Sequence, residues 1–162
     1  MWLKYITTII SFYFFAILQN SFFTQFSFFG AIPDLIFVLF FTFIFFTENK
    51  NFYEIVFYYL LAGIFAYIFS DVNFTISLIL FLIIASLTKK AQEILKSRQD
   101  DNYPLIYFLP LFFVALIVYD FLLGAVSLAG MIYNLTIAVI IFFIYKKFIF
   151  SGVNTRQLKL FR

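Results

Sequence analysis

The chain has 162 residues, 65% of them hydrophobic and 12% charged, with 11 basic against 8 acidic side chains for a net charge of +3. Soluble domains carry about 25% charged residues. The apolar runs here are too long for core strands and do not alternate as barrel strands do, so the composition implies an all-α integral membrane protein. With no cysteine and no histidine, disulfides, thiol chemistry, the commonest general base and the commonest transition-metal ligand are all excluded.

A helix needs about 20 apolar residues to cross a hydrocarbon core of about 30 Å. Six segments approach that length and predict helices at about 5–22, 33–47, 52–70, 72–88, 104–123 and 131–145. The first begins after Lys4, and Gln19-Asn20-Ser21-Phe22-Phe23 lacks the spaced small residues of a cleavage site, so it is expected to stay as a helix. The stretch from Leu18 to Leu35 (LQNSFFTQFSFFGAIPDL) contains no lysine, arginine or glutamate, yet Gln19, Asn20, Ser21, Thr24, Gln25 and Ser27 interrupt its apolar character. It reads as a turn between two membrane helices.

The second helix is expected to open at Pro33-Asp34. Proline in the first turn forfeits no hydrogen bond, and an aspartate there suits the positive end of the dipole. Glu48-Asn49-Lys50-Asn51 closes it. Segments two and four are short, which implies local bilayer thinning or help from neighbouring helices. The hydrophilic stretch KKAQEILKSRQDDN, Lys89 to Asn102, is expected to carry the fourth helix a turn or two beyond the membrane. Pro104 opens the fifth helix, and Pro110 inside it predicts a kink unless neighbours re-satisfy the freed carbonyl. Gly124, Ser127 and Gly130 form the turn into the sixth helix, which ends at Lys146-Lys147 before a basic tail over 146–162.

Charge fixes the expected topology. Six helices place Lys4, Lys50, Lys89, Lys90, Lys96, Arg98, Lys146, Lys147, Arg156, Lys159 and Arg162 on one side, which is every basic residue in the chain. By the positive-inside rule both termini are then cytoplasmic, and a single membrane domain accounts for 1–162. Because the basic residues flank apolar runs, their expected partners are lipid phosphates and not nucleic acid. The 29 phenylalanines are too dispersed to suggest an aromatic ligand cage and read as compositional bias.

Four carboxylates fall at or near membrane depth: Asp34, Glu54, Asp71 and Asp120. Ionisable groups there are costly and are candidate sites. Against that, Asp34 is explained as a helix-start residue and Asp71 as a cap of the fourth helix; Glu54, close to Lys50, reads as interfacial. Tyr119-Asp120 matches two letters of an intramembrane aspartyl protease, without the glycine-rich partner motif. No phosphate loop, Ser–His pair or zinc constellation is present. An enzyme is therefore not expected, nor any cofactor or metal.

Gly63 and Ala66 permit close approach of another helix. Ser70, Asp71, Asn73, Thr75 and Ser77 cluster where segments three and four meet, and Asn134 and Thr136 add a polar spot in segment six. Asp71, Asn73 and Asp120 are thereby candidates for an outer polar pocket; the alternative is that these groups serve as glue between helices.

Taken together, these pieces resemble the rod shape-determining MreD family. The likeness is carried by Leu18-Gln19-Asn20-Ser21, by Gly30-Ala31-Ile32-Pro33-Asp34-Leu35-Ile36, by the spacing of Gly63 and Asp71, and by Asn134 in the last helix. It runs over essentially the whole chain. One departure is Tyr67, beside Ala66, where the family tends to carry a second glycine. The resemblance implies a non-enzymatic inner-membrane subunit of the cell-elongation machinery, similar in fold to the substrate-binding component of energy-coupling-factor vitamin transporters. It further implies a bitopic MreC-like partner, and through it the actin-like MreB and the transpeptidase–glycosyltransferase pair that builds side-wall peptidoglycan. The small-residue face at Gly63 and Ala66 is the expected dock for the partner's helix. Two other readings stand beside this one: a vitamin-binding subunit of a transporter, using Asp71 and Asn73, and an intramembrane hydrolase, using Asp120.

Overall fold

A computed structural model of the chain describes residues 2–27, 29–48, 51–70, 72–96, 104–124 and 126–147. The described residues form six α-helices: α1 (Trp2–Leu18), α2 (Leu35–Phe46), α3 (Phe52–Phe69), α4 (Phe74–Lys96), α5 (Pro104–Leu123) and α6 (Leu128–Tyr145). A π-helical turn over Gln19–Phe23 continues α1 without a break. Five of the helical stretches, all but α2, are long and apolar enough to cross a membrane, and the chain is a multi-pass membrane protein. Lys50, Asp71, Arg98 and the basic tail from 148 onward lie outside the described residues.

The boundaries differ from the sequence reading in ways that local chemistry explains. Pro33 stays outside α2, and Asp34 is its N-cap, not part of its first turn. The sixth helix starts three residues early because the Ser127 hydroxyl accepts from the Gly130 amide and caps it there. Asn73 caps α4 in the same manner through the Thr75 amide at 3.0 Å. As expected, α4 runs on past Thr88, ending at Lys96. Helix α5 is continuous through Pro110.

The centre of the bundle is α2, and the reason is compositional. Its twelve residues, LIFVLFFTFIFF, are apolar on every side, and a helix without a polar face is stable only when surrounded. All ten positions from Leu35 to Ile44 are buried. Each of the other five helices presents an aromatic ring to it. Phe12 of α1 and Tyr58 of α3 meet Phe43 at 5.8 and 5.3 Å between ring centroids. Phe81 of α4 meets Phe40 edge-on at 4.7 Å, Phe112 of α5 meets Phe37 at 5.7 Å, and Phe142 of α6 meets Phe46 at 5.3 Å. The phenylalanine content therefore has a packing role: at the centre of the bundle these rings form the core.

The helices alternate in direction. Lys4 at the start of α1 pairs with Glu54 at the start of α3 at 2.7 Å. Lys89 and Gln92 near the end of α4 reach the end of α2, and Tyr145 at the end of α6 stacks on Phe46. The described lysine side chains (Lys4, Lys89, Lys90, Lys146 and Lys147) thus gather at one end, here termed the basic end. Gln19, Asp34, Tyr119 and Asn134 occupy the opposite, distal end.

Candidate functional site

The candidate site is the distal end of α2, where four helices meet around Asp34. A helix start leaves its first amides without intrahelical acceptors, and a start enclosed by other helices has no water to supply them. Here each is answered by a side chain. The Leu35 amide donates to Gln19 Oε1 at 2.8 Å, and the Ile36 amide reaches the same oxygen at 3.4 Å. The Phe37 amide donates to Asp34 Oδ1 at 2.9 Å. The amide of Asp34 itself donates to Asn134 Oδ1 at 2.7 Å. The first backbone bond of the helix then forms, from the Val38 amide to the Asp34 carbonyl at 3.1 Å.

The other carboxylate oxygen, Asp34 Oδ2, accepts the Tyr119 hydroxyl of α5. Tyr119 is buried, with its ring 4.3 Å from Phe37 and 5.9 Å from Phe81. Asp34 therefore joins α2 to α5 through its side chain and to α6 through its backbone, while Gln19 joins α1. Gln19 is placed by the π-helical turn, whose wider winding carries it over the start of α2. Its neighbour Asn20 donates to the Phe69 carbonyl at 3.0 Å and holds the end of α3 to the same turn.

Three residues singled out from the sequence, Gln19, Asp34 and Asn134, thus converge although they lie in three separate segments. Leu35 is the first residue of the capped helix. Pro33 is buried in the approach to it, and Gly30 has a φ of +77°, a left-handed turn conformation that a side chain disfavours. Tyr119 was missed. In the sequence it belongs only to the two-letter match Tyr119-Asp120, and no local pattern marks a tyrosine that bonds across 85 residues.

Asp120, the next residue along α5, is buried and lies within electrostatic range of Asp34. Asn73 is exposed at the start of α4 with its side-chain oxygen used as a cap. Among the described residues no hydrogen bond joins it to Asp120, and Asp71, the third member of the expected pocket, lies outside them. No group of three or more acidic side chains able to hold a metal ion occurs among the described residues.

The expected dock at Gly63 and Ala66 is corrected by the packing. The Ser77 hydroxyl of α4 donates to the Gly63 carbonyl at 3.0 Å. A Cβ at Gly63 would lie 2.5 Å from Leu78 Cδ2 and 3.4 Å from Leu78 Cα. The close approach that glycine permits is therefore already used by a helix of the same chain. Ala66, one turn on, is buried as well.

Comparison with protein-family models, with curated proteins and with solved structures finds no match to this chain.

Proposed function

We propose that this chain is a non-enzymatic scaffold subunit of the bacterial cell-elongation machinery, an MreD-like protein of the inner membrane that holds a bitopic MreC-like partner. The observation that carries this reading is the convergence of Gln19, Asp34 and Asn134, three of the residues on which the family resemblance rests, at one helix start. Their side-chain oxygens accept from backbone amides at the start of α2 and, in the case of Asp34, from the Tyr119 hydroxyl as well. That is the chemistry of a rigid frame, and it suits a protein whose work is lateral contact.

In this reading α2 is a sixth crossing, completed at its ends by polar side chains instead of extra turns. Both termini and the lysine-bearing end face the cytoplasm, as the positive-inside rule requires. Because α4 fills the Gly63 face, the partner's helix lies against the lipid-facing side of the bundle. Through that partner the chain would meet the actin-like filament and the enzymes of side-wall synthesis.

Depletion in a rod-shaped host is the direct test. Cells should round up, and the tagged chain should bring down a bitopic coiled-coil protein. Rods that persist after depletion would overturn the assignment. Orientation is tested separately, since the chain has no cysteine of its own. Lys90→Cys and Lys147→Cys should react with an impermeant maleimide only after the cells are opened.

A further inference from the structure

The distal end carries an apolar surface that the bundle does not use. Phe22, Phe26 and Ile32 between Leu18 and α2 are exposed, Phe26 at 58%, and so are Val126 just before α6 and Leu128, the first residue of α6, at 76%. The two segments adjoin. The ring of Phe23 lies 5.8 Å from that of Tyr133, the Tyr133 hydroxyl donates to the Phe26 carbonyl at 3.3 Å, and Ala31 Cβ would lie 3.9 Å from a Cβ at Gly130. No charged residue occurs from Gln19 to Pro33 or from Phe121 to Tyr133.

Segments that connect membrane helices through water carry polar and charged side chains, because exposed apolar area costs about 25 cal/mol per Å². Phe14 and Ile17 of α1, the helix that leads into this segment, are exposed as well. The backbone of the connecting segment is bonded within the segment itself, while the side chains of Ser21, Thr24, Gln25 and Ser27 are exposed. The Gln25 amide donates to the Phe22 carbonyl at 3.1 Å, the Phe26 amide to the Phe23 carbonyl at 3.2 Å, and the Thr24 hydroxyl to the Asn20 carbonyl at 2.9 Å. Backbone satisfied from within is what immersion in lipid demands.

We propose that the segment between α1 and α2 and the turn before α6 are seated in the bilayer, at the boundary of headgroups and acyl chains, so that their partner is the lipid surface. The proposal rests on the membrane placement of the helices and is independent of any role in cell elongation. Anchored in this way, the α1–α2 connection would brace Gln19 and Asp34 from the lipid side.

Single tryptophans test it in phosphatidylcholine nanodiscs. On a Trp2→Phe background, Phe26→Trp and Leu128→Trp are compared with Phe14→Trp on the lipid-facing side of α1 and with Glu93→Trp on the extension of α4. Brominated acyl chains should quench the Phe26→Trp and Leu128→Trp emission severalfold, as at Phe14→Trp, while iodide quenches both far less than at Glu93→Trp. Iodide quenching equal to that at Glu93→Trp would overturn the proposal. Protection from both quenchers would also overturn it, in favour of a second copy of the chain covering the patch. If brominated lipid fails even at Phe14→Trp, the membrane placement itself is at fault. Two positions on separate segments keep the test informative should one variant fail to fold.

Discussion

Asn134 Oδ1 accepts from the amide of Asp34 at 2.7 Å, a bond that spans 100 residues of chain and fastens the start of α2 to α6. The amide precedes the first helical residue, so no backbone acceptor of α2 is available to it. Replacing Asn134 with leucine keeps the volume and removes the acceptor. An orphaned buried amide costs about 1–3 kcal/mol. Asn134→Leu should therefore lower the thermal midpoint of the detergent-solubilised protein clearly. Thr136→Val, on the same helix, should not, because the Thr136 hydroxyl only bonds back to the Ile132 carbonyl of its own helix.

Asp34 and Tyr119 should behave as one unit. Asp34→Leu removes the acceptor for both the Phe37 amide and the Tyr119 hydroxyl, whereas Asp34→Asn keeps an oxygen for the amide. The expected order of stability is wild type, then Asp34→Asn, then Asp34→Leu. Tyr119→Phe removes one donor and leaves the ring packing on Phe37 and Phe81. Contacting residues of this kind couple by about 0.5–3 kcal/mol in a double-mutant cycle. A cycle of Asp34→Leu with Tyr119→Phe that closes additively would show that the hydroxyl and the carboxylate do not act together.

How far the sequence discloses this arrangement depends on whether the cause is local. The run LIFVLFFTFIFF announces a helix apolar all round, and Asp34 before it announces a start, because both signals lie within a few residues. Ser127 carries the same kind of local signal, but the glycines on either side of it make the stretch look like a turn, and α6 starts three residues before the expected Met131. The partners of Asp34 were not legible. Asn134 and Tyr119 are 100 and 85 residues away, and nothing in their own neighbourhoods encodes which helix start they serve. Gly63 shows the opposite failure: its small size was read correctly as permission for close approach, but composition does not say whose helix approaches. The phenylalanines look like compositional bias in the sequence because dispersion along the chain conceals convergence on α2.

Gly63 should be intolerant of bulk for reasons internal to the bundle. An added Cβ meets Leu78 Cδ2 at 2.5 Å and Leu78 Cγ at 3.2 Å. The nearest atom is the end of a mobile side chain, so Gly63→Ala should cost about 1 kcal/mol, toward the lower end of overpacking penalties. Gly63→Leu should cost more and also separate Ser77 from the Gly63 carbonyl. Leu78→Ala introduced together with Gly63→Ala should restore part of the loss. If the two substitutions destabilise independently, Leu78 is not the obstacle. A loss of partner binding in Gly63→Leu would then report damage to the α3–α4 contact, so its melting curve must accompany any co-purification.

The basic end of α2 poses the problem of the distal end in mirror image, with carbonyls in place of amides. At 1.5 Å per residue α2 is about 18 Å long, well short of a hydrocarbon core of about 30 Å. Its last carbonyls must be met inside the bundle. The Thr47 amide and hydroxyl take the Phe43 carbonyl at 3.1 and 2.7 Å, and Gln92 Nε2 donates to the Phe45 carbonyl at 2.8 Å. Lys89 Nζ donates to the Thr47 carbonyl, and at 3.0 Å to Gln92 Oε1, which holds the amide in its orientation. Both donors come from the part of α4 beyond Thr88, so this polar extension doubles as a cap for a neighbouring helix. Gln92→Leu strands the Phe45 carbonyl and should cost about 1–3 kcal/mol. Lys89→Met should act on the same bonds, so the double variant should lose less than the two single losses combined. Gln92→Glu keeps an oxygen for Lys89 but has no hydrogen to give Phe45, and should resemble Gln92→Leu. Hydrogen exchange supplies the local readout: protection of the last turn of α2 should fall in Gln92→Leu while its first turn, held by Gln19 and Asp34, stays protected. Equal loss at both ends would mean that α2 opens as one unit and that the two sets of caps are not separable.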